Sequence, residues 1–122
     1  MVKILLIQDS LSDRILIKSF LPRCSVVVYA RAIEEALPLL KNSVFDAVVA
    51  GPSVNEKFYA PLIKTLRSSP VSPELIVLSK NTKAGREVRG LQESAGLFIL
   101  LPGDIKRLET KMASVVNEKL RV

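Results

Sequence analysis

The stretch Phe45-Asp46-Ala47-Val48-Val49-Ala50-Gly51-Pro52 decides the fold. Its centre, Ala47 to Ala50, is four small or β-branched residues bounded by turn-formers, the pattern of a strand buried on both faces. It reads as the central strand of a sheet. In an open parallel sheet, ligands and chemistry gather beyond the carboxyl ends of the central strands. The residue placed there is Gly51, which carries no functional group.

Upstream of that strand, Lys3 to Ile7 is an apolar run closed by Gln8, Asp9 and Ser10, again a buried strand ending in a polar loop. Ser10 or Ser12 can cap a helix running to about Leu21, with Asp13 in the first turn where a negative charge suits the dipole. Pro22 ends that helix, and the valine-rich Ser25 to Tyr29 forms a second strand. Ile33, Ala36, Leu37 and Leu40 then fall on one face of a second helix, which Pro38 is expected to bend.

Downstream, residues 52–56 form a loop, and a third helix over Lys57 to Arg67 turns Leu62, Ile63 and Leu66 inward. Ser68 to Pro73 is a connector. Glu74 to Leu78 is a fourth strand closed by Ser79, and a polar segment from Lys80 to Gly85 leads into a weak fourth helix anchored by Val88 and Leu91. Leu97 to Leu101 is a fifth strand ending at Pro102 and Gly103. Asp104 is expected to cap the last helix, whose Ile105, Leu108, Met112, Val115 and Val116 keep helical spacing. Five apolar strands, each followed by an amphipathic helix, give an α/β class: a single doubly wound parallel sheet with helices on both faces.

Composition limits the chemistry. A chain of 122 residues builds one core, and 48% hydrophobic with 25% charged residues is an ordinary globular balance. No apolar run approaches the roughly 20 residues of a membrane span, and the first residues are too short an apolar block for a secretory signal, so a cytoplasmic protein without membrane contact is expected. Cys24 is the only cysteine and histidine is absent, which removes an intrachain disulfide, a zinc site and histidine-based catalysis, and with them most enzyme classes. The net charge of +6 favours acidic partners.

With the strand ends in line, the chain resembles over nearly its whole length the receiver domain of bacterial and archaeal response regulators, the CheY-like or flavodoxin-like arrangement. The residues that carry the resemblance are Lys-Ile-Leu-Leu-Ile-Gln-Asp at the first strand, Phe-Asp-Ala-Val-Val-Ala-Gly-Pro at the third, Pro-Glu-Leu-Ile-Val-Leu-Ser at the fourth and Phe-Ile-Leu-Leu-Pro at the fifth. The resemblance implies one receiver-like domain over residues 1–122, with strand order 2-1-3-4-5. It also implies where a working receiver keeps its chemistry: an acidic pair after the first strand, a phosphoacceptor aspartate after the third, a hydroxyl after the fourth and a lysine before a proline after the fifth. Those positions here hold Gln8 and Asp9, Gly51, Ser79, and Leu101 beside Pro102. The resemblance therefore points to a degenerate pseudo-receiver.

Chemistry alone leads to the same expectation. A phosphoryl acceptor needs a nucleophilic oxygen, and glycine has none. Magnesium is usually held by one or two carboxylates plus phosphate oxygens, and Asp9 would stand alone. Leucine neutralises no phosphate charge. No catalytic residue, metal or cofactor is expected, and the protein is not expected to be an enzyme. More ordinary roles also account for these residues: Asp9 as a cap or hydrogen-bond acceptor, Ser79 as a loop hydroxyl, Gly51 selected for backbone shape, Leu101 and Phe98 as core.

Function then falls to a surface. Lys80, Lys83, Arg86, Arg89, Lys106, Arg107 and Lys111 stand against Glu87, Glu93, Asp104 and Glu109 across the fourth helix, fifth strand and start of the fifth helix, with Phe98 between them. In the family this face dimerises or docks partners. A basic docking face and a merely solvated one fit the pattern equally. The first expectation is a phosphorylation-independent module acting by protein–protein contact, with a signalling protein or attached output domain, acidic in character, as partner, and a homodimer through the same face as a further option. The alternative is a nucleic-acid-binding adaptor or regulatory domain of a transcription factor, suggested by a pI near 9.7. It is the weaker of the two, since Tyr29 and Tyr59 are not interleaved with the basic residues and no helix-turn-helix or RNA-recognition motif is present.

Overall fold

A computed structural model describes residues 2–52, 59–68, 73–79, 97–100 and 103–120. The strands are β1 (Lys3–Ile7), β2 (Val26–Ala30), β3 (Ala47–Ala50), β4 (Glu74–Ser79) and β5 (Leu97–Leu100). Among the described residues the helices are α1 (Leu11–Lys18), α2 (Ile33–Asn42), α3 (Tyr59–Arg67) and α4 (Lys106–Leu120). The strands form one sheet in the order β2-β1-β3-β4-β5, parallel throughout, which puts β3 at its centre. The helix expected around Val88 and Leu91 lies outside the described residues.

Strand periodicity sorts the core into two layers. Leu5, Ile7, Val48, Ala50, Leu75 and Val77 face one way and pack with Ile33 and Ala36 of α2 and Leu62, Ile63 and Leu66 of α3. Ile4, Leu6, Ala47, Val49, Ile76, Leu78 and Ile99 face the other way and pack with Ile17 of α1 and Leu108, Met112 and Val115 of α4. All four β3 residues are fully buried, as a short run of alanine and valine at the centre of a two-faced sheet requires. β2, by contrast, lies at an edge and leaves Val26 and Tyr29 in part exposed.

Several boundaries differ from the sequence expectation. α1 stops at Lys18 rather than near Leu21, because Phe20 and Leu21 donate to carbonyls three residues back and wind the chain into a tight turn before Pro22. β2 begins at Val26, since the Ser25 amide is used in a turn to the Pro22 carbonyl. Ser79 is the last residue of β4, not a loop residue: β5 runs beside it as far as Leu100, so its backbone stays in the ladder and the side chain is buried.

At the amino-terminal end of the sheet two ion pairs tie α4 down. Lys119 Nζ lies 2.8 Å from Asp46 Oδ2, and Lys111 Nζ 3.5 Å from Glu74 Oε2. Asp46 Oδ2 also accepts from the Lys3 amide at 2.8 Å. Burial alone would raise the Asp46 pKa, but the hydrogen bonds from Lys119 and the Lys3 amide, with the Lys119 charge, more than offset that and hold it below the ordinary 3.8.

Candidate functional site

Parallel pairing fixes which residues meet at the carboxyl end of the sheet. Ile7 is level with Ala50 across β1 and β3, so Gln8 and Gly51 leave their strands side by side. The Gly51 amide donates to the Ile7 carbonyl at 2.8 Å, holding that register one residue past β3. On the other flank Val77 is level with Ala50, which brings the end of β4 and Ser79 to the same end of the sheet. Four of the five sequence-predicted positions, Gln8, Asp9, Gly51 and Ser79, are thus gathered at one place. Leu101 lies outside the described residues.

Gln8 occupies the middle of this place. It is fully buried, and its backbone and side-chain polar groups are engaged from different directions. Its amide donates to the Ala30 carbonyl at 2.9 Å, its carbonyl accepts from Arg14 Nε at 2.7 Å, and its Nε2 donates to Asp13 Oδ2 at 2.9 Å. Arg14 in turn lies over the Tyr29 ring, 5.1 Å from its centroid, which braces the contact from β2. The Gln8 carboxamide also faces Gly51. A Cβ at position 51 would stand 2.3 Å from Gln8 Oε1, 2.8 Å from its Cδ and 3.2 Å from its Cβ. The Gln8 side chain fills the volume that any side chain at position 51 would need.

Asp9 is exposed on the lead-in to α1. It does not cap that helix: Ser10 does, its Oγ accepting from the Asp13 amide at 3.4 Å. Asp104 likewise is not the residue directly before its helix; it lies two residues ahead of α4, where its carbonyl accepts from the Arg107 amide at 2.9 Å. Asp13, seen in sequence only as a first-turn charge, proves to be the carboxylate that orients Gln8. Among the described residues no three His, Cys, Asp or Glu side chains converge as a metal cage. A divalent ion with phosphate would find Asp9 as a solvent-facing carboxylate, while Asp13 already accepts from an amide. The donor set does not fit such an ion, and no step is routed through one.

The surface residues separate into two groups. Lys106 and Arg107 are exposed at the start of α4, with Arg107 Nη1 4.0 Å from Asp104 Oδ2. Lys80, Arg86 and Arg89 lie outside the described residues, and of Phe98 only the placement in β5 is described. Sequence reasoning missed the Gln8–Gly51 packing and the Asp46–Lys119 pair. A buried amide at one strand end beside a glycine on the next strand is the signal for the first. No local signal exists for the second, whose members are 73 residues apart.

No protein-family model matches the sequence, and no curated protein does. Solved structures do. A CheY-like response regulator receiver domain protein from Methanospirillum hungatei superposes with TM-score 0.76 at 18% identity, over 99% of this chain and 98% of that one. A CheY-like receiver domain from Methylobacillus flagellatus gives TM-score 0.74 at 21% identity over 94% and 98%. The chemotaxis response regulator CheY4 of Vibrio cholerae gives 0.73 at 20% over 94% and 98%. At these identities the likeness carries the architecture, and the chain has the α/β fold of CheY-like response regulator receivers.

Proposed function

We propose that the protein is a pseudo-receiver: a receiver-like signalling module that acts by binding another protein and not by accepting a phosphoryl group. The observation that carries this is the contact between Gln8 and Gly51. Phosphoryl transfer to a protein needs an oxygen nucleophile with open space for in-line approach. Position 51 supplies no oxygen, and the fully buried Gln8 carboxamide stands within 2.3 Å of where its Cβ would begin. Gln8 is neutral where metal binding would require a carboxylate. With the strand-end chemistry absent, the fold serves as a rigid carrier of surfaces, and the protein is no enzyme.

The partner is another signalling protein or an attached output domain. The exposed Lys106 and Arg107 and the net charge of +6 favour an acidic contact. The test is intact mass and an amide NMR spectrum of one sample before and after adding magnesium and acetyl phosphate. An unchanged mass and unmoved amide signals at Asp9, Gly51 and Ser79 are expected. A phosphoryl adduct on any residue would refute the proposal.

A further inference from the structure

β2 is an edge strand without the features that usually keep sheet edges from pairing. Its five residues, Val26-Val27-Val28-Tyr29-Ala30, include no charge and no proline, and they pair with β1 without a bulge. That pairing shows which backbone groups are left over. The Val26 amide donates to the Val2 carbonyl at 2.8 Å, and the Ala30 carbonyl accepts from the Gln8 amide at 2.9 Å. Val26, Val28 and Ala30 therefore turn their N–H and C=O groups toward β1, and by the two-residue period of a strand Val27 and Tyr29 turn theirs outward. Among the described residues nothing donates to or accepts from those two backbones. The next outward amides on either side are already used: Ser25 donates to the Pro22 carbonyl at 3.1 Å, and Arg31 to Glu35 Oε2 at 2.8 Å. The open edge is thus two donors and two acceptors, carried by Val27 and Tyr29.

We infer that this edge pairs antiparallel with β2 of a second copy, joining the two sheets into one. The register follows from the committed amides. A two-fold axis at Val28 sets Val27 of each chain opposite Tyr29 of the other, and each such pair exchanges two hydrogen bonds. All the outward groups of both chains are then satisfied. An axis at Val27 would call on the Ser25 amide, and one at Tyr29 on the Arg31 amide, both of which are engaged. The side chains agree. Val27 packs in the layer of α1, so on that face Tyr29 meets Val27 of the other chain, an aromatic and β-branched pair formed twice. Val28 packs in the layer of α2 and meets its own copy there, while the exposed Val26 meets the small Ala30. One axis matches every outward backbone group and every side chain of β2 with another of β2, as an isologous contact must, and this selects a second copy as the occupant. The pairing uses the edge opposite β5, and neither the Gln8–Gly51 contact nor the exposed cations of α4 take part in it.

Two paired strands of five residues cover less than the roughly 1,000 Å² of a stable interface, so the dimer is weak, with Kd on the order of 100 μM. Sedimentation velocity of the wild-type full chain over a concentration series is expected to shift from monomer to dimer. Amide hydrogen exchange, read by NMR over the same series, is expected to slow within β2 at Val27 and Tyr29 alone. The slowing is about four-fold as total protein rises from one tenth of Kd to ten times Kd, the factor by which the monomer fraction falls. Val26, Val28 and Ala30, bonded to β1 in either state, should not change. Tyr29→Pro deletes an outward N–H and no backbone bond within the chain, and is expected to stay monomeric; circular dichroism checks that it folds. In a Cys24→Ser background, Val28→Cys sets two thiols at the axis, where the Cα atoms of a non-hydrogen-bonded pair stand about 4.5 Å apart, within the span of a disulfide. Air oxidation is expected to trap it as a covalent dimer faster than the more exposed Val26→Cys. A chain that stays monomeric throughout, a dimer whose Val27 and Tyr29 amides exchange as before, or a Val28→Cys trap no faster than Val26→Cys would each overturn the inference; the last two would assign the contact to another face.

Discussion

Replacing Gly51 by alanine isolates the Gln8–Gly51 contact with one methyl group. The new Cβ would lie 2.3 Å from Gln8 Oε1 and 2.8 Å from Cδ, so the carboxamide has to leave its place. Leaving breaks the 2.9 Å hydrogen bond from Nε2 to Asp13, a loss of about 1–2 kcal/mol for a buried donor to a carboxylate. Forcing an extra carbon into a filled site adds about 1–3 kcal/mol. Opposing both, alanine reduces the entropy of the unfolded chain by about 0.4–1 kcal/mol relative to glycine, a gain available where glycine holds no positive φ. The net destabilisation is about 1–5 kcal/mol, which for this chain length lowers Tm by about 4–20 °C.

The sign of the effect should depend on Gln8. In a Gln8→Ala background the carboxamide is gone and only the residue-8 Cβ, 3.2 Å away, remains close, so Gly51→Ala is expected to be near neutral. Urea denaturation of the four proteins in the cycle, followed by circular dichroism, gives the coupling energy, expected at about 1–3 kcal/mol. Additive effects, or a wild-type background indifferent to Gly51→Ala, would refute the reasoning. So would a Gly51→Asp single variant that folds with unchanged stability, since aspartate must clear the same carboxamide.

Lys119→Met should lower stability at neutral pH by about 0.2–1 kcal/mol, since the pair is partly exposed. The folded-state pKa of Asp46 is depressed, so this contribution is complete above the ordinary 3.8 and disappears as pH falls through the lower folded value; urea midpoints of wild type and variant should therefore converge in acid. Ile76→Ala, fully buried between the helix layers, should cost about 2–5 kcal/mol in the same assay, a far larger loss than any surface change here. A gel shift with duplex DNA or RNA should show at most weak binding that collapses between low and physiological salt, and affinity that survives physiological salt would favour a nucleic-acid adaptor.

The parallel sheet flanked on both sides was legible in the sequence because its signals are local. Val48 and Val49 between glycine-proline and aspartate, and the Leu108-Met112-Val115 spacing, each describe their own burial. The boundaries that moved were set by neighbours: Ser79 stays in β4 because Leu100 runs beside it, a fact of pairing that the run Glu74 to Leu78 does not contain. At the site, sequence placed Gln8, Asp9, Gly51 and Ser79 correctly at one end of the sheet. It treated Gln8 as a missing acid and Gly51 as a residue lacking a functional group and selected for backbone shape. Their relation is a distance between two strands 43 residues apart in sequence, and no window along the chain reports it.

That distance also changes how the strand ends have to be understood. A glycine alone could be reversed by one substitution, leaving an open cavity in which an acceptor would fit. A glycine whose missing side chain is replaced by a hydrogen-bonded glutamine offers no such cavity, because the carboxamide must first be displaced from that space. Arg14 on the Gln8 carbonyl, Tyr29 beneath Arg14 and Asp13 on the Gln8 amide form a brace linking β1, α1 and β2. The polar groups of such a brace stabilise only while all are satisfied, and each broken contact strands a buried partner. The strand ends that bind ligand in open parallel sheets are here part of the packed structure, and α1, which carries two members of the brace, is held in place by it.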